Sequence, residues 1–118
     1  MADHLALGAL GEELATQFLR TAGMEIVARN WRCRHGELDV IGRDGDVTAF
    51  VEVKTRRSLI FGTPAEAVTW SKQQRIRLLA TLWLREQHGR WQRVRFDVVA
   101  VLMLPGREPD IRHLKAVF

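Results

Sequence analysis

Apolar side chains in the first part of the chain recur with a helical period. The repeating positions, at steps of three or four residues, are Leu7, Leu10, Leu14 and Phe18. This spacing predicts an amphipathic helix over residues 3–22, and Gly23 stands where a helix commonly ends.

One carboxylate of this helix falls on a line of small and apolar residues. Glu12 shares that line with Gly8, Ala15 and Leu19, whereas Glu13 points further round the helix toward solvent. Glu12 is therefore expected to be half-buried and is the better candidate for a chemical role. The alternative is a carboxylate that only interacts favourably with the positive end of the helix dipole.

The pattern changes to alternation after this helix. Residues 25–33 alternate loosely, which predicts a strand. Two further runs containing Val and Ile flank Asp44-Gly45, a dipeptide typical of a tight hairpin turn. If these two residues form the turn, paired positions sum to 89 and Glu37 lies opposite Glu52.

The hairpin places charge where the interior of a sheet is usually apolar. Side chains alternate along a strand. One face then carries Glu37, Asp39, Glu52 and Lys54, and the other carries Leu38, Val40, Val51 and Val53. Because like charges that face one another destabilise a strand pair, three carboxylates and one amine on one face indicate a bound cation.

A second helix is predicted for residues 64–87. Thr63 is a natural N-cap, Pro64 suits the first turn, Glu66 completes a capping box and Gly89 follows the end. Its buried stripe consists of Val68, Ile76, Leu79 and Trp83.

Alternation returns in residues 91–103, whose second half is apolar on both faces, as in a central strand. Asp97 lies on this strand and is expected to anchor hydrogen bonds in the interior. After a turn at Pro105-Gly106, residues 111–118 form a short strand or a tail. The order helix, three strands, helix, strand predicts one α/β domain over residues 1–118, with a central mixed sheet flanked by helices.

Composition indicates the class of partner. The chain carries 18 Lys and Arg against 14 Asp and Glu, and residues 72–95 hold seven Lys and Arg against Glu86 alone. Such clustering fits a polyanion, nucleic acid first. Cys33, the one cysteine, excludes an intramolecular disulfide framework and a cysteine-based zinc cluster. No apolar run approaches the roughly 20 residues of a membrane span and no secretory signal is recognisable, so a cytoplasmic protein is expected.

The acidic face predicts a Mg²⁺ or Mn²⁺ site, because both ions prefer hard oxygen ligands. Asp39 and Glu52 are diagonal neighbours in the predicted register, and the backbone carbonyl of Val53 is a candidate third oxygen. Lys54 lies beside the ion, where it helps to orient a water and offsets charge that develops in the transition state. Glu12 completes the shell, directly or through a water. This arrangement suits phosphodiester hydrolysis.

Ordered motifs along the chain give a resemblance to a known family. They are Gly11-Glu12-x-x-Ala15, Asn30-Trp31-Arg32, Gly36-Glu37-Leu38-Asp39-Val40-Ile41, Phe50-Val51-Glu52-Val53-Lys54-Thr55-Arg56 and Arg95-Phe96-Asp97-Val98-Val99. They resemble the YraN-type family of small bacterial candidate endonucleases. That family belongs to the PD-(D/E)xK nuclease superfamily and is related to archaeal Holliday-junction resolvases.

The resemblance implies a restriction-endonuclease-like core and catalytic residues at Glu12, Asp39, Glu52 and Lys54. No proline precedes Asp39, although the superfamily name includes one. Glu37 is interpreted as support for the ligands, because the family pattern expects the following aspartate to bind the metal. By analogy with the resolvases, a homodimer acting on branched DNA is expected.

Residues around the acidic cluster are candidate phosphate contacts, and each of them also fits an ordinary solvated surface. They are Arg56, Arg57, Lys72, Gln73, Arg75 and Arg77. Trp31 and Trp70 are candidates for stacking on unpaired bases, although packing is the commoner role of tryptophan.

Three functions are open at this point. The first is a Mg²⁺- or Mn²⁺-dependent DNA endonuclease that acts on branched or otherwise structured DNA. The second is a non-catalytic nucleic-acid-binding module that retains the nuclease fold, and the third is an adaptor whose basic helix binds an acidic protein.

Overall fold

The computed structural model describes residues 2–58, 68–87 and 93–118, which form two helices and five strands. They are α1 (Ala2–Thr21), β1 (Glu25–Cys33), β2 (Gly36–Asp44), β3 (Val47–Arg56), α2 (Trp70–Glu86), β4 (Arg93–Leu102) and β5 (Asp110–Leu114). The predicted strand over residues 25–33 is confirmed at both ends. Among the described residues, neither helix is long and apolar enough to cross a membrane.

The strands form one mixed sheet in the order β1-β2-β3-β4-β5. Neighbouring strands are antiparallel except β3 and β4, which are parallel and are separated in sequence by α2. The predicted α/β architecture with a central mixed sheet is confirmed. Residues 111–118, predicted to form a short strand or a tail, contain most of β5 and then a short extension to Phe118.

Each face of the sheet carries its own core. Phe50 and Val98 pack with the α2 residues Ile76, Leu79 and Trp83, whereas Val51 and Val99 pack with Ala15 and Leu19 of α1. The middle strands β3 and β4 are therefore apolar on both faces, as the run in residues 98–102 predicted.

α1 buries only part of the stripe that its periodicity predicts, since Leu14 packs against the core and Leu7 is partly buried. Gly11, Ala15 and Leu19 face the sheet, while Leu10 is 47% exposed and Phe18 is also exposed. A Cβ atom on Gly11 would overlap the side chain of Thr55 on β3. Small residues occupy this face of α1 because they let the helix approach β3 closely. This approach brings Glu12 to the sheet.

We expect Gly11→Ala to destabilise the protein by about 1–3 kcal/mol, since the added methyl group has no room between α1 and β3. Urea denaturation measures this loss as a change in the free energy of unfolding. Gly8→Ala is the matched control, because a Cβ there meets nothing within 4 Å. It should leave stability unchanged or raise it by about 0.5–1 kcal/mol, as expected in a helix interior. Equal effects of the two substitutions would contradict this packing of α1.

The β2–β3 turn lies one residue later in the chain than predicted, which shifts the pairing of the two strands by two residues. Asp44 pairs with Val47, so the turn is Gly45-Asp46 and the paired positions sum to 91 instead of 89. Gly45 has φ +63° at the first central position, where a type II′ turn favours glycine. The shift of two preserves the alternation of faces, which is why the hydrophobic pattern did not reveal it.

One side chain lies on the face opposite to that predicted. Leu38 packs in the core under α2, whereas Val40, two residues further along β2, packs in the core under α1. The regular alternation is therefore broken at Asp39. On the neighbouring strand Asn30 has φ +51°, a left-handed conformation that asparagine tolerates better than most residues.

α2 begins later than predicted. Thr69 is extended and its hydroxyl accepts a hydrogen bond from the Lys72 N–H, so a helix from Pro64 cannot continue through it and α2 starts at Trp70. The predicted capping residues Thr63, Pro64 and Glu66, and Gly89, lie outside the described residues. The buried stripe is confirmed at Ile76, Leu79 and Trp83 within the helix, and at Val68 before it.

Asp97 joins the last strands to the end of the chain, as its expected role as an anchor requires. Its carboxylate is fully buried and accepts hydrogen bonds from Arg95 Nε (3.0 Å) and the Ala116 N–H (2.9 Å). His113 Nε2 on β5 lies 2.7 Å from its other oxygen. Phe118 then stacks on Phe96 at 5.2 Å between ring centroids.

Candidate metal centre and its basic surroundings

Asp39 lies where β2 and β3 separate. The pairing of these strands extends only to Val40 and Val51, and beyond it Asp39 Oδ2 accepts a hydrogen bond from the Val53 N–H at 2.9 Å. A carboxylate thus takes the place of a backbone carbonyl on the neighbouring strand. In its protonated form Asp39 also donates a hydrogen bond to Glu52. The sheet itself holds this carboxylate in position.

Three carboxylates from two elements converge here. Glu12 on α1 and Glu37 and Asp39 on β2 each offer an oxygen atom, and these oxygens lie within 4.8 Å of one another. All three residues are partly buried. Glu52 lies outside this group of three and joins it through its hydrogen bond to Asp39.

The structure places Glu37 among the nearest oxygens, although the motif comparison had given it a supporting role. Its carboxylate also forms an ion pair with Arg32, at 2.6 Å. Glu37 can therefore act as a ligand itself or hold the others in place, and its position favours direct participation.

Asn30 is a site residue that the sequence reasoning did not single out. With its amide oriented to donate, Asn30 lies 3.0 Å from Glu37 Oε1 and 3.2 Å from Glu12 Oε2. Its left-handed backbone conformation directs it there. The signal was present in the Asn30-Trp31-Arg32 motif, to which no chemical role had been attached.

The surroundings of Asp39 and Glu12 oppose the ionisation of these two carboxyl groups. Burial, together with the hydrogen bond and the negative charge of Glu52, raises the pKa of Asp39 to about 8, against the opposing effects of the Val53 N–H and Lys54. Burial and the charges of Asp39 and Glu37 likewise raise the pKa of Glu12. Such a cluster is stabilised by a proton or by a cation.

Lys54 lies between the acidic cluster and α2. Burial lowers the pKa of its ammonium group, as does the neighbouring charge of Lys72, while Glu52 and Asp39 act in the opposite direction. The structure therefore brings together all four residues that the resemblance implied, Glu12, Asp39, Glu52 and Lys54, and adds Glu37.

The sequence matches the family described as "Uncharacterised protein family UPF0102" over residues 11–101, a range that contains every residue of the cluster. The chain belongs to the UPF0102 family. This confirms the YraN-type family to which its motifs were compared.

Relatives extend the match over the full chain. A UPF0102 protein of Nocardia farcinica is 74% identical over 116 residues, which cover 98% of this chain and 91% of the relative. UPF0102 proteins of Rhodococcus opacus and Rhodococcus jostii are 61% and 60% identical over 118 residues, and the match covers both proteins of each pair completely.

The candidate phosphate contacts divide between several surfaces. Lys72 is exposed beside Lys54, and Arg75 lies over the start of β2, where its Cδ would be 3.5 Å from a Cβ at Gly36. Each of them lies beside a residue that neighbours the cluster: Lys72 beside Lys54, and Arg75 beside Gly36, which precedes Glu37. Gln73 instead donates its amide N–H to the Val68 carbonyl at 3.1 Å.

The remaining three arginines make other contacts. Arg77 lies over the ring of Phe96, 4.7 Å from its centroid, in a cation–π contact. Arg56 is half-buried at the end of β3, where its carbonyl accepts from the Met103 N–H. Arg57 lines an open groove of about 470 Å³ between α1 and the connection from β4 to β5.

Proposed function

We propose that this protein is a Mg²⁺- or Mn²⁺-dependent DNA endonuclease that hydrolyses phosphodiester bonds in branched or otherwise structured DNA, and that it acts in the cytoplasm. The observation that carries the proposal is the convergence of oxygens from Glu12, Glu37 and Asp39 within 4.8 Å, with Lys54 near Asp39.

The donor set fits a hard divalent cation. Every candidate ligand is an oxygen atom, and Mg²⁺ and Mn²⁺ prefer oxygen over nitrogen or sulfur. Asp39 would hold the ion together with Glu12, Glu37 or Glu52. The carbonyl of Val53, which follows Glu52 on β3, is a further candidate ligand. When bound, the ion supplies Lewis acidity toward the phosphate and lowers the pKa of a coordinated water.

The protein's own groups have separate tasks in this proposal. The Val53 N–H holds the Asp39 carboxylate at the point where β2 and β3 separate, and Asn30 orients Glu12 and Glu37. The Lys54 ammonium is partly withdrawn from water, which strengthens its interaction with the negative charge that develops on the phosphate.

Cleavage assays test the proposal directly. Purified protein is incubated with linear duplex, flapped and four-way DNA, each with Mg²⁺, Mn²⁺ or EDTA. We expect cleavage with either metal, none in EDTA, and faster cleavage of the flapped and four-way substrates. A preparation that is free of contaminating nuclease and leaves all three substrates intact would contradict the enzymatic function.

A non-catalytic nucleic-acid-binding module is the second candidate. Glu37 is already neutralised in part by Arg32, as expected of a cluster with a structural role. Asp39→Asn distinguishes the two functions, because it should abolish cleavage by an enzyme, while a binding module with this substitution should still complement a deletion strain.

A further inference from the structure

The first turn of α2 exposes a large aromatic ring. Trp70 is 73% exposed, more than any other large hydrophobic residue in the described part of the chain, the next being Leu10 at 47%. Its neighbours Thr69, Ser71 and Lys72 are exposed as well. Trp31, the other tryptophan considered for stacking, packs instead against the core under α2.

This exposed turn borders the acidic cluster. Lys72 lies beside Lys54, which in turn neighbours Glu52 and Asp39. Two ammonium groups in proximity repel each other, and an anion placed between them removes the repulsion. Glu52 and Asp39 offset the charge of Lys54, whereas the first turn of α2 contains no acidic side chain to offset the charge of Lys72. A phosphate group has the charge and the oxygen acceptors that the lysine pair requires.

We propose that Trp70 stacks on an unpaired base of a nucleic acid whose backbone phosphate is held by Lys54 and Lys72. The inference rests on the proposed action on DNA and specifies its substrate class. Bases inside a continuous duplex have no free face for an indole ring, so the site selects flaps, single-stranded branches or junctions with unpaired bases. Stacking on an aromatic ring is tolerant of sequence, because every base has a π-face.

The test is a binding experiment in EDTA, which does not depend on catalysis. A flapped DNA carries 2-aminopurine at one unpaired position, and fluorescence reports both affinity and stacking on the base. Trp70→Ala should weaken binding to the flap by about 5- to 150-fold, the range expected for one base–aromatic stack. Affinity for continuous duplex should stay unchanged, and Trp70→Phe should retain most of the flap affinity.

Leu78→Ala is the matched control, because Leu78 is an exposed apolar residue of the same helix. It should bind flap and duplex like the parent protein. Thermal denaturation of each variant verifies folding, which the exposed position of Trp70 should leave intact.

The outcomes separate this inference from the proposed function. If Trp70→Ala binds the flap as tightly as the parent, or loses duplex affinity equally, the stacking site is wrong even when metal-dependent cleavage is observed. If the preference for flapped DNA depends on Trp70 but neither metal supports cleavage, the stacking site is supported and the endonuclease function is contradicted.

Discussion

Replacing Asp39 by asparagine is expected to reduce metal-dependent cleavage by more than about 100-fold. Loss of groups that merely support a metal ligand costs about 10- to 100-fold, and Asp39 is proposed to bind the ion itself. Asparagine keeps the size of the side chain and an oxygen that can accept from the Val53 N–H. The fold should therefore survive, and the loss reports on the negative charge.

Thermal denaturation gives a second readout for the same variant. Mn²⁺ should raise the melting temperature of the parent protein, because a ligand that binds only the folded state stabilises it. The Asp39→Asn variant should show little or no such increase. In EDTA the variant should be at least as stable as the parent, because burial and Glu52 raise the pKa of Asp39 to about 8 and asparagine is neutral without taking up a proton.

Asp46→Asn provides the control for this prediction. Asp46 lies in the β2–β3 turn, and its exposed carboxylate is 3.9 Å from an equally exposed Arg93 nitrogen. The same chemical change at this position should leave both cleavage and the response to Mn²⁺ intact. Equal loss of the Mn²⁺ response in the two variants would exclude Asp39 as a specific ligand.

Asp97→Ala is expected to lower the free energy of unfolding by about 3–5 kcal/mol, the usual cost of removing one partner from a buried charged pair. The substitution leaves the inward-facing Arg95 guanidinium, the His113 ring and the Ala116 N–H without their shared acceptor. Urea denaturation measures the loss. Asp110→Ala is the control, because its ion pair with Arg112 is exposed and should change stability by less than about 0.5 kcal/mol.

The Asp97 carboxylate also predicts an acid-dependent loss of stability. Burial favours its neutral form, but the hydrogen bonds from His113, Ala116 and Arg95 outweigh burial and lower its pKa below the ordinary 3.8. The unfolded chain therefore binds this proton at higher pH than the folded protein. The stabilisation is complete above pH 3.8 and is lost as the pH falls below that value.

Asp97→Asn isolates this contribution, because asparagine does not titrate. Its free energy of unfolding should be lower than that of the parent protein at neutral pH and should decline less steeply below pH 3.8. Parallel pH profiles for the two proteins would show that the carboxylate does not carry the acid dependence.

The sequence alone determined the types and order of the elements. Alternation and helical spacing are local properties: the strand predicted over residues 25–33 is confirmed, and the helix predicted over residues 64–87 is confirmed over residues 70–86. The motif Glu52-x-Lys54 and Asp39 on the preceding strand indicated the acidic cluster before any contact was known. Local patterns sufficed here because the periods of helices and strands differ.

Only the tertiary structure decided how these elements meet. The buried face of α1 depends on the fit of Gly11 against Thr55, two residues 44 positions apart in the chain. The hydrophobic pattern also could not predict the hairpin register, because a shift of two residues leaves each side chain on the same face of the sheet.

Which residues belong to the acidic cluster also depends on the tertiary structure. Glu12, Asn30 and Glu37 lie on three different elements, and no local period relates them. Their proximity follows from the close approach of α1 to the sheet and from the interrupted alternation of side chains in β2 at Asp39. Sequence patterns report which way a side chain faces along its own element, whereas distances between elements depend on packing across the whole fold.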